Sequence, residues 1–352
     1  RLVGSEMCIR DRHCEAKHMS WLHCFWGVGT IIGPMILSAV LRVGGSWRMG
    51  YRAVGLMQCA VSALLFATLG MWKRSDIQQE EREAKTLGVL DVLRHGFKHR
   101  GLRFRVCYFK PESALNQAAA AQWATNTIEC YRQWYFSADT KKSVDMVLVL
   151  NGIPVFAFEL KNQYTGQTVD DAKRQWMYDR DPRELCFQFN KRILAYFCVD
   201  HTEVWMTTKL AGKNTYFLPF NQGSNGAGND GGKGNPANPN GYPTAYLWEN
   251  VFQKDSMMDI VQKFMNLKDG KTLIFPRYHQ LDVVRKLLAD VRQNGAGHNY
   301  LIQHSAGSGK SNSIAWTAYR LASLFNEENK PVFSSVVVVT DRTVLDLSLI
   351  HI

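Results

Sequence analysis

The sequence predicts an α/β fold in two consecutive parts, preceded by a pair of apolar helices. Two runs without a charged residue lie near the start, at residues 20–41 and 54–72. A strand–turn–strand pattern follows at residues 143–161. Further on, residues 299–325 predict a short apolar strand, a glycine-rich loop and a helix. Strands that alternate with helices are typical of an α/β fold.

Composition limits the function only weakly. The chain has 352 residues and a formal net charge of +11, which is room for two or three domains. A basic balance favours nucleic acid or an anionic membrane surface as a partner, although a well-solvated surface has a similar composition. The eight cysteines form no CxxC pair and no cluster with zinc-ligand spacing. This usage excludes a disulfide scaffold and a structural zinc site, and it fits a reducing compartment.

The two uncharged runs predict a transmembrane hairpin. Each run is long enough to cross a hydrocarbon core of about 30 Å as a helix. Glycine and proline in the first run are common in membrane helices, and aromatic residues often mark the membrane interface. The tryptophans at or near the ends of the runs are Trp21, Trp26, Trp47 and Trp72. A buried hairpin of a water-soluble protein is the alternative.

The strand–turn–strand segment contains two carboxylates and a lysine. Glu159 and Lys161 are two residues apart and leave the same face of the second strand, whereas Phe158 and Leu160 are expected to pack on the opposite face. Asp145 begins the first strand and is expected beside them. Two carboxylates and the Leu160 carbonyl are suitable ligands for Mg²⁺. A lysine next to that ion can position or deprotonate a water that attacks a phosphodiester.

The register of the hairpin decides whether these side chains meet. A strict two-residue loop at Asn151 and Gly152 would leave Glu159 on the wrong face relative to Asp145. A loop of odd length, such as residues 151–153, or a β-bulge restores the parity. The metal site therefore requires one of these two features.

Residues 143–176 resemble the nuclease segment of type I restriction enzyme R subunits, in the phrase SVDMVLVLNGIPVFAFELKNQYTGQTVDDAKRQW. The resemblance continues through RILAYFCVDHTEVWMTTKL and PTAYLWENVFQKDSMMDIVQKFM and extends over residues 92–346. It implies a PD-(D/E)xK-type nuclease domain at 92–265 and the start of a RecA-like, superfamily-2 helicase domain at 268–346. It also makes Asp145 and Glu159 metal ligands and Lys161 the catalytic lysine.

Members of this family also have a glutamine on the following helix, with a tyrosine four residues later. Gln175 fits as a further catalytic residue. The residue four positions on is Asp179, however, and the nearest tyrosine is Tyr178. Both positions lie on the helix face of Gln175, so the role of Tyr178 stays open. An ordinary surface amide is the alternative for Gln175.

The glycine-rich loop after the apolar stretch has the spacing of an ATP-binding P-loop. In that motif the backbone N–H groups surround the β-phosphate at a helix N-terminus. The lysine reaches the β- and γ-phosphates, and the following serine holds Mg²⁺. By resemblance to related helicases, an upstream glutamine is a candidate adenine contact, with a helix-surface residue as the alternative. The nucleotide-site residues are Gln280, Ser305, Gly307, Ser308, Gly309, Lys310 and Ser311, of which Ser311 is also a metal ligand.

Residues 334–346 predict a further parallel strand and its turn, where Thr340 and Arg342 are candidate DNA contacts of the motor. An acidic Walker B strand, an arginine finger and a second RecA-like domain are not recognised in the sequence. We therefore expect the chain as written neither to hydrolyse ATP appreciably nor to translocate. The Gly/Asn/Pro-rich stretch at 221–242 is expected to be a flexible surface insertion rather than a phosphate-binding loop.

The type I resemblance implies double-stranded DNA as the substrate, Mg²⁺ and ATP as cofactors, methylase and specificity subunits as partners, and a cytoplasmic location. Residues 13–85, by contrast, resemble a helix pair of major-facilitator transporters in LHCFWGVGTIIGP and WRMGY. Residues 1–12 and 347–352 resemble translated sequencing-adapter read-through.

Together these resemblances predict a chimeric, truncated gene model, joined within residues 73–96. Three alternatives stay open: a membrane-tethered nuclease, a transporter fragment, and a standalone nuclease-helicase of the repair type.

Overall fold

The computed structural model describes residues 32–113, 115–137, 140–326 and 328–339. The chain divides into two compact units, Arg1–Glu81 and Arg82–Ile352. In the described part of the first unit, a helix covers residues 32–42, and helix α1 begins at Trp47 and runs to Thr86.

The predicted transmembrane hairpin is not supported. Residues 20–31 of the first apolar run lie outside the described residues. The second run is part of α1, which also includes Arg48 and Arg52 before the run and a charged sequence from Lys73 onwards. Within the described part of the chain, no helix is long and apolar enough to span a membrane.

The second unit combines a mixed sheet with helices. Its helices are α2 (Val89–His95), α3 (Gln117–Ala124), α4 (Val169–Tyr178), α5 (Lys254–Asp259), α6 (Tyr278–Asn294) and α7 (Lys310–Leu321). A 3₁₀ helix forms at Gln163–Thr165, and π-helical turns form at Leu247–Val251 and Ile260–Phe264. The strands are β1 (Phe97–His99), β2 (Leu102–Phe104), β3 (Ile128–Tyr135), β4 (Ser143–Leu150), β5 (Ile153–Leu160), β6 (Ala195–Val199), β7 (Val204–Thr207), β8 (Leu218–Pro219), β9 (Asn266–Lys268) and β10 (Thr272–Ile274).

The central sheet has six strands in the order β3-β4-β5-β6-β7-β8. Only the β5–β6 pair is parallel, and the other neighbours are antiparallel. All residues of β6 are buried, which is typical of a strand covered on both faces. Phe197 of β6 packs in one hydrophobic core and contacts Phe252, which lies between a π-helical turn and α5, whereas Cys198 packs in a second core with Trp176 of α4. Helices therefore cover both faces of the sheet around the candidate site.

Two local predictions in the nuclease segment were wrong. The alanine-rich sequence at 114–136 predicts a single helix, but only α3 forms there, and the sequence IECYRQWY forms β3 instead. Thr125, Asn126 and Thr127 separate the two elements, and the following aromatic residues favour a strand next to β4. The alternating sequence LRFRVCYFK at 102–110 predicts a strand, but the strand is limited to the three residues of β2.

The strands expected around the P-loop do not form. Residues 299–305 and 334–339 are irregular, and Leu301 and Val339 are 94% and 90% exposed. An apolar run becomes a strand only when a neighbouring strand pairs with its N–H and C=O groups. Among the described residues no strand pairs with either run. Helix α7 does begin directly after the loop, at Lys310, but the parallel sheet of a RecA-like domain is not present in the described part of the chain.

Candidate functional site

The turn between β4 and β5 is a two-residue turn with a bulge beside it. Asn151 and Gly152 have φ angles of 48° and 83°, which are typical of a type I′ hairpin turn. Leu150 pairs with Ile153 and Val149 pairs with Pro154. The next pair is Leu148 with Phe156, so Val155 is an extra residue in β5. This is the β-bulge that the sequence argument required.

The bulge restores the parity of the hairpin. Beyond it, Met146 pairs with Phe158, and the next residues along the two strands are Asp145 and Glu159. Asp145 Oδ2 accepts a hydrogen bond from the Leu160 backbone N–H at 2.9 Å and lies 3.9 Å from Lys161 Nζ. The structure therefore brings together the two predicted carboxylates and the predicted lysine at the end of β5.

Glu159 is fully buried although its ordinary state is charged. Its Oε1 accepts two hydrogen bonds from Arg180, from Nη2 at 2.6 Å and from Nε at 3.1 Å. Burial raises the pKa of Glu159 to about 8; Arg180 lowers it, and nearby Asp145 raises it further. Glu159 Oε2 is buried and has no hydrogen-bond partner among the described residues. A buried, unsatisfied carboxylate oxygen beside a second carboxylate is suited to a hard cation.

The donor set therefore fits Mg²⁺. Asp145 and Glu159 supply oxygen atoms from two different strands, and the Leu160 carbonyl is the third predicted ligand. Among the described residues no group of three or more His, Cys, Asp or Glu side chains could hold a metal ion, so a fully protein-bound cage is absent there. Mg²⁺ usually keeps several waters and takes only one or two carboxylates from the protein. The expectation that the Leu160 side chain packs opposite Glu159 was wrong, because this side chain is exposed at the sheet edge.

Gln175 is held against the lysine by α4. Lys161 Nζ donates to Gln175 Oε1 at 2.6 Å. Helix α4 begins with a capping box between Thr168 and Asp171, and Trp176 anchors it by burial and by an Nε1 hydrogen bond to the Phe197 carbonyl at 3.2 Å. The structure thus places Gln175 in the site rather than on an open surface. Tyr178, in contrast, is exposed.

Sequence reasoning missed Arg180. Besides Glu159, its guanidinium donates to the Ser143 carbonyl at 2.7 Å, so it connects the start of β4 with the end of β5. Arg180 is itself buried. It lies 21 residues from its partner Glu159, and no motif spacing marks it. Only its position directly after the helix that carries Gln175 could have drawn attention to it.

The residues predicted for a nucleotide site are partly assembled. Gln280 is buried, and its Nε2 donates to the carbonyls of Ser308 at 3.1 Å and Gly309 at 2.8 Å. It therefore contacts the glycine-rich loop instead of lying on the surface. Lys310 Nζ donates to the His304 carbonyl at 2.9 Å. A methyl group at Gly309, where φ is 83°, would collide with the Gln280 amide, so this position requires glycine.

The remaining predicted residues of the loop lie on the same segment: Ser305 and Gly307 are exposed, and Ser311 is half-buried in the first turn of α7. The candidate DNA contacts Thr340 and Arg342 lie outside the described residues.

The Gly/Asn/Pro-rich stretch folds into an ordered loop. The Gly223 N–H donates to the Gly234 carbonyl at 2.8 Å, and the Ser224 N–H donates to the Gly232 carbonyl at 3.0 Å. This loop borders a cavity of about 730 Å³, whose other wall includes residues of the 303–308 segment. The stretch is therefore hydrogen-bonded within itself, whereas its composition predicts a flexible surface insertion.

Comparison with known families matches part of the chain. Residues 115–215 match the model of the type I restriction enzyme R protein N terminus. This segment includes Asp145, Glu159, Lys161 and Gln175. A comparison with curated proteins found no match to the chain.

The transporter-like reading of 13–85 and the adapter-like reading of the two ends receive no support from these comparisons. Residues 1–12 and 347–352 lie outside the described residues. The segment that holds the candidate site is similar to the N-terminal region of type I restriction enzyme R subunits.

Proposed function

We propose that the chain is a fragment of the R subunit of a type I restriction-modification system, and that the site at the end of β5 hydrolyses phosphodiester bonds of double-stranded DNA with Mg²⁺. The observation that supports this most directly is the bulge at Val155, because it aligns Asp145 with Glu159 on the side of Lys161. The match of residues 115–215 to the R-subunit family supports the same reaction class.

The roles of the protein groups follow from their contacts. Asp145, Glu159 and the Leu160 carbonyl would hold Mg²⁺, and the bound ion would stabilise the negative charge that develops on the scissile phosphate. Lys161 would orient the attacking water. Its ammonium group lies near Asp145 and would offset the negative charge of that carboxylate. Gln175 accepts a hydrogen bond from that ammonium group and so fixes its direction. Arg180 keeps the Glu159 carboxylate oriented by two hydrogen bonds.

Plasmid nicking tests this proposal. The full chain should convert supercoiled DNA to open circles with Mg²⁺ and not with EDTA. Glu159→Gln and Lys161→Ala should each abolish the nicking, whereas the matched controls Glu249→Gln and Lys213→Ala, both at exposed positions, should retain it. Nicking that survives in both site variants would remove these residues from the reaction.

We also propose that the glycine-rich loop binds ATP. Lys310 would contact the β- and γ-phosphates, and the Ser311 hydroxyl would contribute to the Mg²⁺ that accompanies the nucleotide. The contact between Gln280 and the loop supports a shared site. A fluorescent ATP analogue should bind the wild type and the control Lys330→Ala, which replaces an exposed lysine, and should not bind Lys310→Ala. Equal binding by all three proteins would reject the assignment.

The partners follow from the same family. Methylase and specificity subunits would supply target recognition and the chain would supply cleavage, in the cytoplasm. Thr340 and Arg342 would contact the DNA backbone in the motor part. Co-purification of the chain with a matching methylase–specificity complex tests the assembly, and its absence with every such complex from the source genome would reject it.

A further inference from the structure

Three aromatic rings form a stack at the surface of the second unit. The rings of Tyr164 and His201 have centroids 5.0 Å apart and are tilted by 52°, whereas those of His201 and Tyr242 lie 4.5 Å apart with an interplanar angle of 16°. Tyr164 is 86% exposed and Tyr242 is 47% exposed. The Tyr164 ring, at one end of the stack, therefore presents open aromatic surface to the solvent.

The stack lies at the sheet edge that holds the candidate nuclease site. Strands β5 and β6 are parallel, so their carboxyl ends reach the same edge. Lys161 follows β5 directly, and its backbone N–H donates to the Val199 carbonyl at the end of β6 at 2.8 Å. Tyr164 comes three residues after Lys161, and His201 comes two residues after Val199. The first two rings thus leave the same pair of strand ends as the catalytic lysine.

A buried carboxylate connects the segments that carry the rings. Asp200, next to His201, accepts hydrogen bonds from the backbone N–H groups of Val169 at 3.1 Å and Thr202 at 2.8 Å. Its own carbonyl accepts a hydrogen bond from Thr244 Oγ1 at 2.9 Å, two residues from Tyr242. The stack is therefore supported by a hydrogen-bonded framework, not by the contact of mobile side chains alone.

The backbone of Tyr164 is fixed in the same way. Asn162 Oδ1 accepts its N–H at 3.0 Å, at the start of the 3₁₀ helix. Gln163 Nε2 donates to Thr202 Oγ1 at 2.8 Å, which holds this helix against the turn that carries His201.

We propose that Tyr164, His201 and Tyr242 form a platform on which bases of an unpaired DNA strand stack, beside the site of cleavage. The inference rests on the proposed nuclease function for its substrate class. Base stacking on aromatic rings is tolerant of sequence, because every base has a π-face. Such a platform would hold a frayed or newly cut strand near Lys161 without reading its sequence.

Binding of a fluorescently labelled oligothymidylate to the full chain in EDTA tests the platform, since EDTA prevents cleavage. Tyr164→Ala should weaken binding about fivefold, the low end for stacking of one base on a ring. Tyr164→Phe should bind as the wild type does, because it keeps the ring. Tyr216→Ala is the matched control, since Tyr216 is 75% exposed and is not part of the stack.

A second probe separates bases from phosphates. An abasic oligonucleotide of the same length has the same backbone charge but offers no ring to stack. Its binding should be equally weak with wild type and Tyr164→Ala. The platform would be refuted by wild-type-like binding of oligothymidylate to Tyr164→Ala, by an equal loss in Tyr216→Ala, or by an equal effect of Tyr164→Ala on the abasic probe.

The nicking assay separates this inference from the proposed function. If Glu159→Gln abolishes nicking while Tyr164→Ala binds oligothymidylate normally, the platform fails and the nuclease stands. If Glu159→Gln and Lys161→Ala both leave nicking intact, the assignment of the nuclease site fails, whatever the oligonucleotide shows.

Discussion

The buried pair of Arg180 and Glu159 allows a quantitative prediction. Arg180→Met removes two hydrogen bonds to Glu159 and one to the Ser143 carbonyl, while its side chain still fills apolar space. Breaking a buried ion pair by removing one partner costs about 3–5 kcal/mol. We expect the free energy of unfolding to fall by about that amount at about pH 9, where Glu159 is ionised.

The pH dependence of this loss follows from proton linkage. Burial holds the pKa of Glu159 at about 8 in the folded wild type, against 4.5 for the ordinary group. Arg180 lowers that pKa, so its removal raises it further. Between about pH 5 and pH 8, Glu159 keeps its proton in the folded wild type and in folded Arg180→Met, whereas the unfolded chain has lost it. Both proteins therefore lose stability in parallel as the pH rises. Above about pH 8 only the variant continues to lose stability, and the difference between the two proteins should widen.

Urea unfolding at about pH 6 and pH 9, without Mg²⁺, measures this difference. Arg183→Met is the matched control, because Arg183 pairs with Asp181 at 2.8 Å in an exposed position, and exposed pairs contribute little. In a background that already has Glu159→Gln, Arg180→Met should lower the free energy of unfolding by the same amount at both pH values, because the titrating carboxyl is absent from both proteins. A loss below about 1 kcal/mol at about pH 9, or a loss equal at the two pH values, would refute the reasoning.

Three further experiments test other parts of the structure. Gln175→Ala should reduce nicking about tenfold or more with an unchanged fold, because it leaves the Lys161 ammonium without its acceptor; unchanged rates would show that Gln175 is only a surface amide. Burial raises the pKa of the Cys107 thiol to about 12, so iodoacetamide at about pH 8 should label exposed Cys130 and spare Cys107, as peptide mass spectrometry would show. Gly152→Ala should lower the free energy of unfolding, measured by thermal unfolding, by about 1 kcal/mol. The reason is the φ angle of 83°, since an added Cβ would meet no other atom. A stabilised variant would contradict the left-handed turn.

The strand pair of the candidate site could be predicted because its information is local. The apolar runs at 143–150 and 153–160, with an Asn-Gly pair between them, determine two strands and a turn. The spacing of Glu159 and Lys161 then determines which side chains share a face. Arg180 could not be predicted, since its contact with Glu159 depends on how the chain continues after α4.

The region around the glycine-rich loop shows what local sequence could not predict. Its motif is specific, and Gln280 does contact the loop. The apolar runs around it were nevertheless predicted as strands, and neither forms among the described residues. A helix satisfies its own backbone hydrogen bonds, so α7 forms directly after Gly309. A strand depends on a neighbour, and local sequence cannot show whether that neighbour is present.

The bulge at Val155 joins packing to chemistry. Val155 and Phe156 are consecutive residues of β5, yet both are fully buried in the same hydrophobic core. In a regular strand two consecutive side chains point to opposite faces, so the bulge is what lets this core hold both. Removing it would cost the burial of an apolar side chain and, in the same step, would turn Glu159 away from Asp145. The core that stabilises the bulge therefore also determines the alignment of the two carboxylates. Folding alone thus favours a register compatible with the candidate site, before any metal binds.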